Sequence, residues 1–162
     1  METKIKKIII LEGGFNEEHK VSLKTSKEIK KVFKKFKINF ETLEVNPKNF
    51  SKVISKYKGY QCFNALHGPF GEDGKIQRIL KKNKIQFTHS GIRSSILCFD
   101  KFKAKNTILK NKILTPKFMQ IKKKDINLES LNSIKKKFKK FVIKPNNSGS
   151  SFGVYIIKNN ED

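Results

Sequence analysis

Apolar residues in the first part of the chain follow two alternating spacings. Residues 4–11 include the apolar block Ile8-Ile9-Ile10-Leu11 and stop just before a glycine pair, which is typical of a buried strand. A helical spacing of i, i+3, i+4 and i+7 follows, carried by Ile29, Val32, Phe33 and Phe36. The pattern therefore predicts a strand, a loop and a helix in that order.

The same unit repeats twice more before residue 82. Residues 38–45 alternate apolar and polar side chains and stop at Asn46-Pro47, and residues 60–67 supply a third strand. The helical stripes that follow these strands consist of Phe50, Val53, Ile54 and Tyr57 and of Ile76, Ile79 and Leu80. This βαβαβα order predicts an open, Rossmann-like parallel sheet with helices on its faces.

The rest of the chain completes the first domain and then begins a second, α+β domain. Further strands are expected at 86–88, 118–121, 140–144 and 154–158, and helices at 91–112 and 128–139. Thr115-Pro116 marks the entry into new structure. One helix and three strands after that point bury too little surface for a finished domain. We therefore predict an amino-terminal domain at 1–100 and an incomplete domain at 101–162.

Apolar runs and cysteines indicate where the protein resides. No run approaches the roughly 18 to 20 apolar residues that a membrane-spanning helix needs, and charged residues follow Met1 instead of an apolar signal core. Cys62 and Cys98 both lie in apolar stretches, so we interpret them as reduced, buried side chains. These features predict a cytoplasmic protein without a disulfide.

The net charge of +23 raises the question of nucleic-acid binding. Of the 37 basic residues only Arg78 and Arg93 are arginine, the residue on which nucleic-acid readers depend for bidentate contacts. The lysine runs at 122–124 and 135–137 contain no aromatic residues for base stacking. A solvated lysine surface is therefore favoured, and a nonenzymatic nucleic-acid-binding protein stays the alternative.

Two polar loops follow predicted strands whose carboxyl ends should share one edge of the sheet. The first loop runs from Gly13 through Glu18 to Ser22, and the second contains His67 with three glycines and two carboxylates. Ligands bind at this edge in open α/β sheets. Each loop also has a plainer interpretation, since glycine pairs form turns, serine caps helices and histidine is often structural.

A third and a fourth motif carry lysines. Asp100-Lys101 lies inside a predicted helix and has no meaning by itself. Lys144 ends a buried strand, and the small residues from Gly149 to Gly153 follow it. Backbone N–H groups and serine hydroxyls of such a loop can surround phosphate oxygens, although the spacing is not that of a Walker A loop. A flexible hairpin turn is the competing interpretation.

Taken in order, the four motifs resemble the D-alanine–D-alanine ligase family of the ATP-grasp superfamily. The resemblance is carried by Ala65-Leu66-His67-Gly68 with Gly71-Glu72-Asp73-Gly74, by Thr88-His89-Ser90-Gly91 leading to Asp100-Lys101, and by Ile143-Lys144-Pro145 with Gly149-Ser150-Ser151-Phe152-Gly153-Val154. It implies an amino-terminal α/β domain followed by two ATP-grasp subdomains. The first would be complete here, the second begun and the third absent.

The resemblance also implies a reaction and its site residues. ATP would phosphorylate one D-alanine, and the amine of a second would attack the acyl phosphate to give the dipeptide for peptidoglycan synthesis. The implied catalytic residues are Glu18, His67 and Ser150, and the implied substrate contacts are Glu18, Ser22 and His67. The implied ATP contacts are Lys101, Lys144, Gly149, Ser150, Ser151 and Gly153, with Ser150 also helping to position Glu18.

Mg²⁺ or Mn²⁺ is the implied metal, and its ligands are expected in the missing carboxyl-terminal part, with none in this fragment. We therefore expect the polypeptide alone to lack ligase activity and to bind ATP weakly. Ligases that use D-lactate or D-serine as the second substrate share the same amino-terminal pattern and stay open as alternatives. The expected partners are D-alanine and ATP, with no specific nucleic acid and no membrane, and a homodimer is an allowed assembly.

Overall fold

A computed structural model describes residues 7–158, which form two compact units divided between Phe99 and Asp100. The strands of the first unit are β1 (Ile8–Gly13), β2 (Phe40–Val45), β3 (Gln61–Asn64) and β4 (Gln86–Phe87). Its helices are α1 (His19–Lys35), α2 (Phe50–Ile54, continued by a 3₁₀ turn at Ser55–Tyr57), α3 (Lys75–Lys82) and α4 (Ile92–Phe99). The strands pair in the order β2-β1-β3-β4, and every pair is parallel. The predicted open parallel sheet is confirmed.

The core of the first unit surrounds the central strand β1. Ile8 pairs with Phe40 on one side and with Gln61 on the other, so β1 has a neighbour on both edges. The buried cluster consists of Ile9, Leu11, Val45, Phe50, Ile54, Cys62, Leu66, Ile76, Leu80 and Ile85. Burying each large side chain of this kind stabilises the fold by about 1.5–3 kcal/mol. This packing fixes the strand ends from which the polar loops emerge.

Helix α1 forms where the apolar spacing predicts it, but it buries a different stripe. Its buried residues are Ser22 and Ser26, whereas Val32 and Phe36 are 49% and 65% exposed. Ile29 and Phe33 continue the serine stripe at helical spacing and are half-buried. The sheet-facing stripe is thus partly polar, which an apolar pattern alone does not reveal.

The prediction of a single helix over 91–112 is wrong, because the helix is interrupted at Asp100. Asp100 has an extended backbone, with φ of −85° and ψ of 100°, and its carboxylate accepts a hydrogen bond from the Lys103 N–H at 3.0 Å. A short acidic side chain that caps a helix in this way competes with helix continuation. A new helix, α5 (Lys101–Lys110), begins here in the second unit.

The second unit also contains α6 (Leu128–Phe138) and an antiparallel pair formed by β5 (Phe141–Ile143) and β6 (Tyr155–Ile157), with a 3₁₀ turn at Lys123–Asp125. These elements confirm the predicted helix at 128–139 and the strands at 140–144 and 154–158. The prediction that the first of these strands is buried is wrong, since Val142 in β5 is 51% exposed. The strand predicted near 118–121 is wrong, since no strand partner pairs there. Phe118 instead packs edge-on against Phe102, with ring centroids 5.7 Å apart. The assignment of 1–100 and 101–162 to a substrate domain and an ATP-grasp subdomain stays a prediction.

The two cysteines differ in exposure. Burial raises the pKa of the Cys62 thiol to about 12, in agreement with the prediction for this residue. The same prediction is wrong for Cys98, which is exposed on α4, because an apolar sequence neighbourhood does not fix the face on which a helical side chain lies. No helix within residues 7–158 has the length and apolar character needed to cross a bilayer.

Candidate functional site

The two polar loops of the first unit meet at one edge of the sheet. They follow β1 and β3, which are neighbouring parallel strands. The Asn16 side-chain N–H₂ donates hydrogen bonds to the carbonyls of His67 and Pro69 at 3.0 and 3.2 Å, and its oxygen accepts one from the Glu18 N–H at 2.8 Å. Asn16, which sequence reasoning did not single out, thereby fastens the two loops together.

Glu18 is a buried carboxylate at the start of α1. Only 2% of the residue is exposed, and the carboxylate lies directly against Gly68. A methyl group on Gly68 would overlap the Glu18 Oε2 and would lie 3.1 Å from its Cδ, and the Gly68 φ of +69° also favours glycine. The positive end of the helix dipole favours a negative charge at this place. The structure thus brings Glu18 next to the His67-Gly68 pair.

Ser22 is fully buried one turn further along α1. Its hydroxyl accepts a hydrogen bond from the Gly13 N–H at 2.8 Å. The hydroxyl therefore holds the turn that follows β1. This contact places the predicted substrate-binding serine beneath the loop.

His67 has a protein neighbour at each ring nitrogen. Nε2 is 2.9 Å from the Thr25 hydroxyl oxygen, and Nδ1 is 3.6 Å from the Glu72 carboxylate. The other Glu72 oxygen accepts a hydrogen bond from the Gly68 N–H at 3.0 Å. Thr25 was missed by sequence reasoning, although its spacing from Glu18 and Ser22 places all three on one face of a helix.

A second histidine of the first unit, His89, stacks on Phe87 with ring centroids 4.6 Å apart. Neither ring nitrogen has a hydrogen-bond partner among residues 7–158. Burial lowers the pKa of His89 to about 4, so the ring is neutral at physiological pH.

In the second unit, Asn146 attaches the loop after β5 to the start of α5. Its side-chain oxygen accepts a hydrogen bond from the Phe102 N–H at 2.9 Å, and its N–H₂ donates one to the Asp100 carboxylate at 2.9 Å. The Lys103 N–H, and after it the Asn146 amide, lower the pKa of Asp100. Asn146 was not singled out from the sequence, because an asparagine in a loop usually serves the turn itself.

The Lys101 side chain reaches the same loop. Its ammonium donates hydrogen bonds to the backbone carbonyls of Asn146, at 3.3 Å, and of Ser148. The two lysines predicted to contact ATP thus differ in their surroundings. Lys101 binds carbonyls of the loop, while Lys144 is exposed directly after β5. The Lys101 contacts order the loop, and the exposed Lys144 presents an ammonium group to solvent.

The remaining ATP-site candidates form a tight turn between β5 and β6. The Phe152 N–H donates to the Gly149 carbonyl at 3.1 Å. Ser150 and Ser151 have φ of 46° and 61°, values that are unusual outside glycine. Gly153, with φ of +64°, would bring an added methyl within 3.0 Å of Pro145. Backbone N–H groups in such left-handed turns can form anion-binding concavities.

The predicted site residues thus fall into two groups, with Glu18, Ser22 and His67 in the first unit and Lys101, Lys144 and the Gly149 to Gly153 turn in the second. Across the described part of the chain, no three or more His, Cys, Asp or Glu side chains are grouped so that they could hold a metal ion.

Comparisons with known proteins show what this chain is similar to. No family model matches the chain. A D-alanine–D-alanine ligase from Pelagibacter ubique is 46% identical over 153 residues, covering 93% of this chain and 50% of that protein. Over this length the chain belongs to the D-alanine–D-alanine ligase family. The resemblance inferred from the four motifs is confirmed.

Solved D-alanine–D-alanine ligases share the fold. The crystal structure of the enzyme from Bacillus anthracis matches 96% of this chain and 50% of its own, with a TM-score of 0.79 and 32% identity. The structure of the Bacillus anthracis enzyme complexed with ATP matches 96% of this chain and 51% of its own, with a TM-score of 0.76 and 30% identity. The chain spans about half the length of the curated relatives it matches.

Proposed function

We propose that this chain works as part of a longer, ATP-dependent ligase that joins two D-alanine molecules for peptidoglycan synthesis. The observation that carries the proposal is the buried Glu18 carboxylate, which lies against Gly68 at the start of α1. It belongs to a stretch that is 46% identical to a D-alanine–D-alanine ligase. A lysine-rich nucleic-acid-binding protein would have no use for a carboxylate held in this way.

The first unit is proposed to hold the first D-alanine. Its ammonium group would bind Glu18, since a carboxylate is the natural partner for an amine. His67 would lie near the reacting carboxylate. Ser22 would contribute through the turn that it holds, because its hydroxyl is buried against the Gly13 N–H. Asn16 would keep the Glu18 and His67 loops in register.

The second unit is proposed to hold the phosphates of ATP. Lys144 supplies an accessible ammonium group, Lys101 orders the loop at 146–148, and the N–H groups and hydroxyls of Gly149, Ser150, Ser151 and Gly153 would surround phosphate oxygens. The relative whose structure is complexed with ATP supports this proposal. Ser150 is also proposed as a catalytic residue.

In the proposed reaction, an oxygen of the first D-alanine carboxylate attacks the γ-phosphorus of ATP, giving an acyl phosphate and ADP. The amine of the second D-alanine then attacks the acyl carbon, releases phosphate and loses a proton to give the dipeptide. Such phosphoryl transfer depends on positioning and on groups that stabilise negative charge. Lysine ammonium and backbone N–H groups are suited to that task.

Mg²⁺ or Mn²⁺ would neutralise phosphate charge in this reaction. The described residues do not fit such an ion by themselves, since they offer no group of three metal-binding side chains. We therefore assign no metal ligand here. The proposed setting is the cytoplasm, a homodimer is the proposed assembly, and D-serine or D-lactate as second substrate stays an alternative to D-alanine.

The function can be tested in a chimera in which this chain replaces the aligned half of the Pelagibacter ubique ligase. We expect D-alanine-dependent phosphate release, reduced at least about 100-fold in kcat/KM by Glu18→Gln, because removing a buried charge partner costs several kcal/mol. Glu28→Gln is the matched control, since Glu28 lies on the same helix but is exposed and forms an ion pair with the exposed Lys31. A folded chimera without activity, or one in which both variants behave alike, would contradict the proposal.

The chain by itself is expected to release no phosphate from ATP in the presence of D-alanine and Mg²⁺. Turnover by the isolated polypeptide would show that the catalytic groups are all present within it. A D-alanine-dependent assay at equal protein concentration, run beside the active chimera, checks this expectation.

A further inference from the structure

His67 stands out because the protein engages both of its ring nitrogens. The Thr25 hydroxyl lies 2.9 Å from Nε2, and a Glu72 carboxylate oxygen lies 3.6 Å from Nδ1. The imidazole is 29% exposed, and each ring nitrogen faces a protein group. The ring is thus held from helix α1 on one side and from the loop after β3 on the other.

The chemistry of the two neighbours selects one neutral form of the ring. An ionised carboxylate can only accept a hydrogen bond, so Glu72 favours a proton on Nδ1. Nε2 then carries the lone pair and accepts the Thr25 O–H, which a hydroxyl can donate. The 2.9 Å contact at Thr25 is a full hydrogen bond, whereas the 3.6 Å contact at Glu72 acts through charge.

The carboxylate that makes this choice is itself fixed. Glu72 accepts a hydrogen bond from the Gly68 N–H at 3.0 Å through its second oxygen. Gly68 is the residue against which the Glu18 carboxylate lies. The support for the His67 ring and the support for Glu18 therefore share one peptide unit.

We propose that Thr25 and Glu72 are positioning residues that hold His67 as the Nδ1–H tautomer with its ring in a fixed orientation. Nε2 is then bonded to Thr25 and the Nδ1 proton faces the Glu72 carboxylate, so His67 does not shuttle a proton to or from substrate. In the ligase reaction, and resting on the proposed function, it would instead present a fixed polar ring edge beside the bound D-alanine. Neither residue needs to touch substrate to have this effect.

Nitrogen-15 spectra of the histidine rings test the proposal directly. At about pH 8.5, where unperturbed histidine is neutral, we expect His67 to show protonated Nδ1 and unprotonated Nε2, with its signals assigned through His67→Gln. Thr25→Val keeps the branched shape and removes the hydroxyl, so the tautomers should mix. Thr25→Ser should restore the original form, and Glu72→Gln should weaken the preference for Nδ1–H.

Thr107→Val is the matched control, because the Thr107 hydroxyl bonds only the backbone of its own helix, at 3.0 Å to the Lys103 carbonyl. It should leave the His67 signals unchanged. A wild-type ring with protonated Nε2, or a Thr25→Val ring identical to wild type in a folded chain, would overturn the proposal. That outcome would not affect the proposed function, since this measurement needs no ligase activity.

Kinetics of the chimera separate positioning from general damage. Thr25→Val should lower kcat/KM for D-alanine by about tenfold while KM for ATP stays the same, and Thr25→Ser should recover most of the loss. Equal losses for both substrates would contradict a positioning role and indicate destabilisation. A chimera in which even the unmodified chain fails would count against the proposed function and leave the tautomer result standing.

Discussion

The two units hold their candidate loops by different means. In the first unit, the loops around Glu18 and His67 leave a sheet whose core is buried, and every buried hydrophobic side chain among the described residues lies between Ile9 and Ile85. In the second unit the loop at 145–153 is held by polar contacts of Asn146 and Lys101. The neighbouring strand β6 is poorly covered, since Tyr155 and Ile156 are 65% and 61% exposed. The first site thus combines a buried core with hydrogen bonds such as those of Asn16, whereas the loop of the second site depends mainly on polar contacts.

This difference teaches how each site should respond to change. Core packing contributes about 1.5–3 kcal/mol per large side chain, whereas one hydrogen bond contributes about 1 kcal/mol net. Damage to the core should therefore unfold the first unit as a whole. Damage to a polar contact in the second unit should loosen one loop and leave its helices formed.

The largest effect is expected from Phe50→Ala. Phe50 is 1% exposed and packs edge-on against Phe70, with ring centroids 5.7 Å apart. The cavity should lower the free energy of unfolding by about 3–5 kcal/mol, measured by urea denaturation. Val142→Ala, at a position 51% exposed in β5, is the comparison and should cost much less. Equal losses would break the contrast between the two units.

Gly68→Ala should follow, at about 2–3 kcal/mol, because it combines a left-handed backbone with overlap on the Glu18 carboxylate. Gly59→Ala is matched for the backbone term, since Gly59 has φ of +88° and nothing within 4 Å of an added methyl. It should cost about 1 kcal/mol. The difference between the two urea midpoints isolates the contact with Glu18. Equal midpoints would show that position 68 does not lie tightly against the Glu18 carboxylate.

Acid should weaken the first unit through His89. Its pKa is about 4 in the folded chain and 6.5 for the ordinary group. The folded pKa is lowered, so its contribution to stability is complete above pH 6.5 and is lost as the pH falls toward 4. With partial exposure discounted, the loss should be on the order of 1 kcal/mol. His89→Leu should flatten this part of the plot of unfolding free energy against pH. An unchanged plot would show that protonation of His89 does not destabilise the folded chain.

The smallest effect is expected from Asn146→Ala. The change removes the acceptor of the Phe102 N–H and should cost about 1 kcal/mol. Hydrogen exchange should show faster exchange at the Phe102 amide, with the amides of β1 unaffected. Asn147→Ala leaves that acceptor in place and serves as the control. Loss of protection throughout the second unit would mean that its loop is as strongly coupled as the core of the first.

The sequence predicted the elements that depend on apolar periodicity. The parallel sheet, the loops at its edge and the strands β5 and β6 follow from runs such as 4–11 and 140–144. The break at Asp100 was missed because a capping carboxylate overrides a helical pattern, and the strand at 118–121 was overpredicted because strand formation needs a partner.

The candidate site was predictable only where residues carry recognisable motifs. Glu18, His67 and the lysines stand in such motifs, whereas Asn16, Thr25 and Asn146 act through hydrogen bonds that span 51, 42 and 44 residues of sequence. Partners so distant along the chain leave no local pattern. Only the helical spacing of Thr25 from Glu18 and Ser22 offered a signal.

The close approach of Gly68 to Glu18 ties two distant positions together during evolution. A side chain larger than hydrogen at position 68 would fit only if the acid at position 18 were shortened or turned away. Across homologous ligases, exchanges at these two positions should therefore occur jointly. An alignment in which position 68 varies freely beside an invariant glutamate would show that the loop can shift to make room.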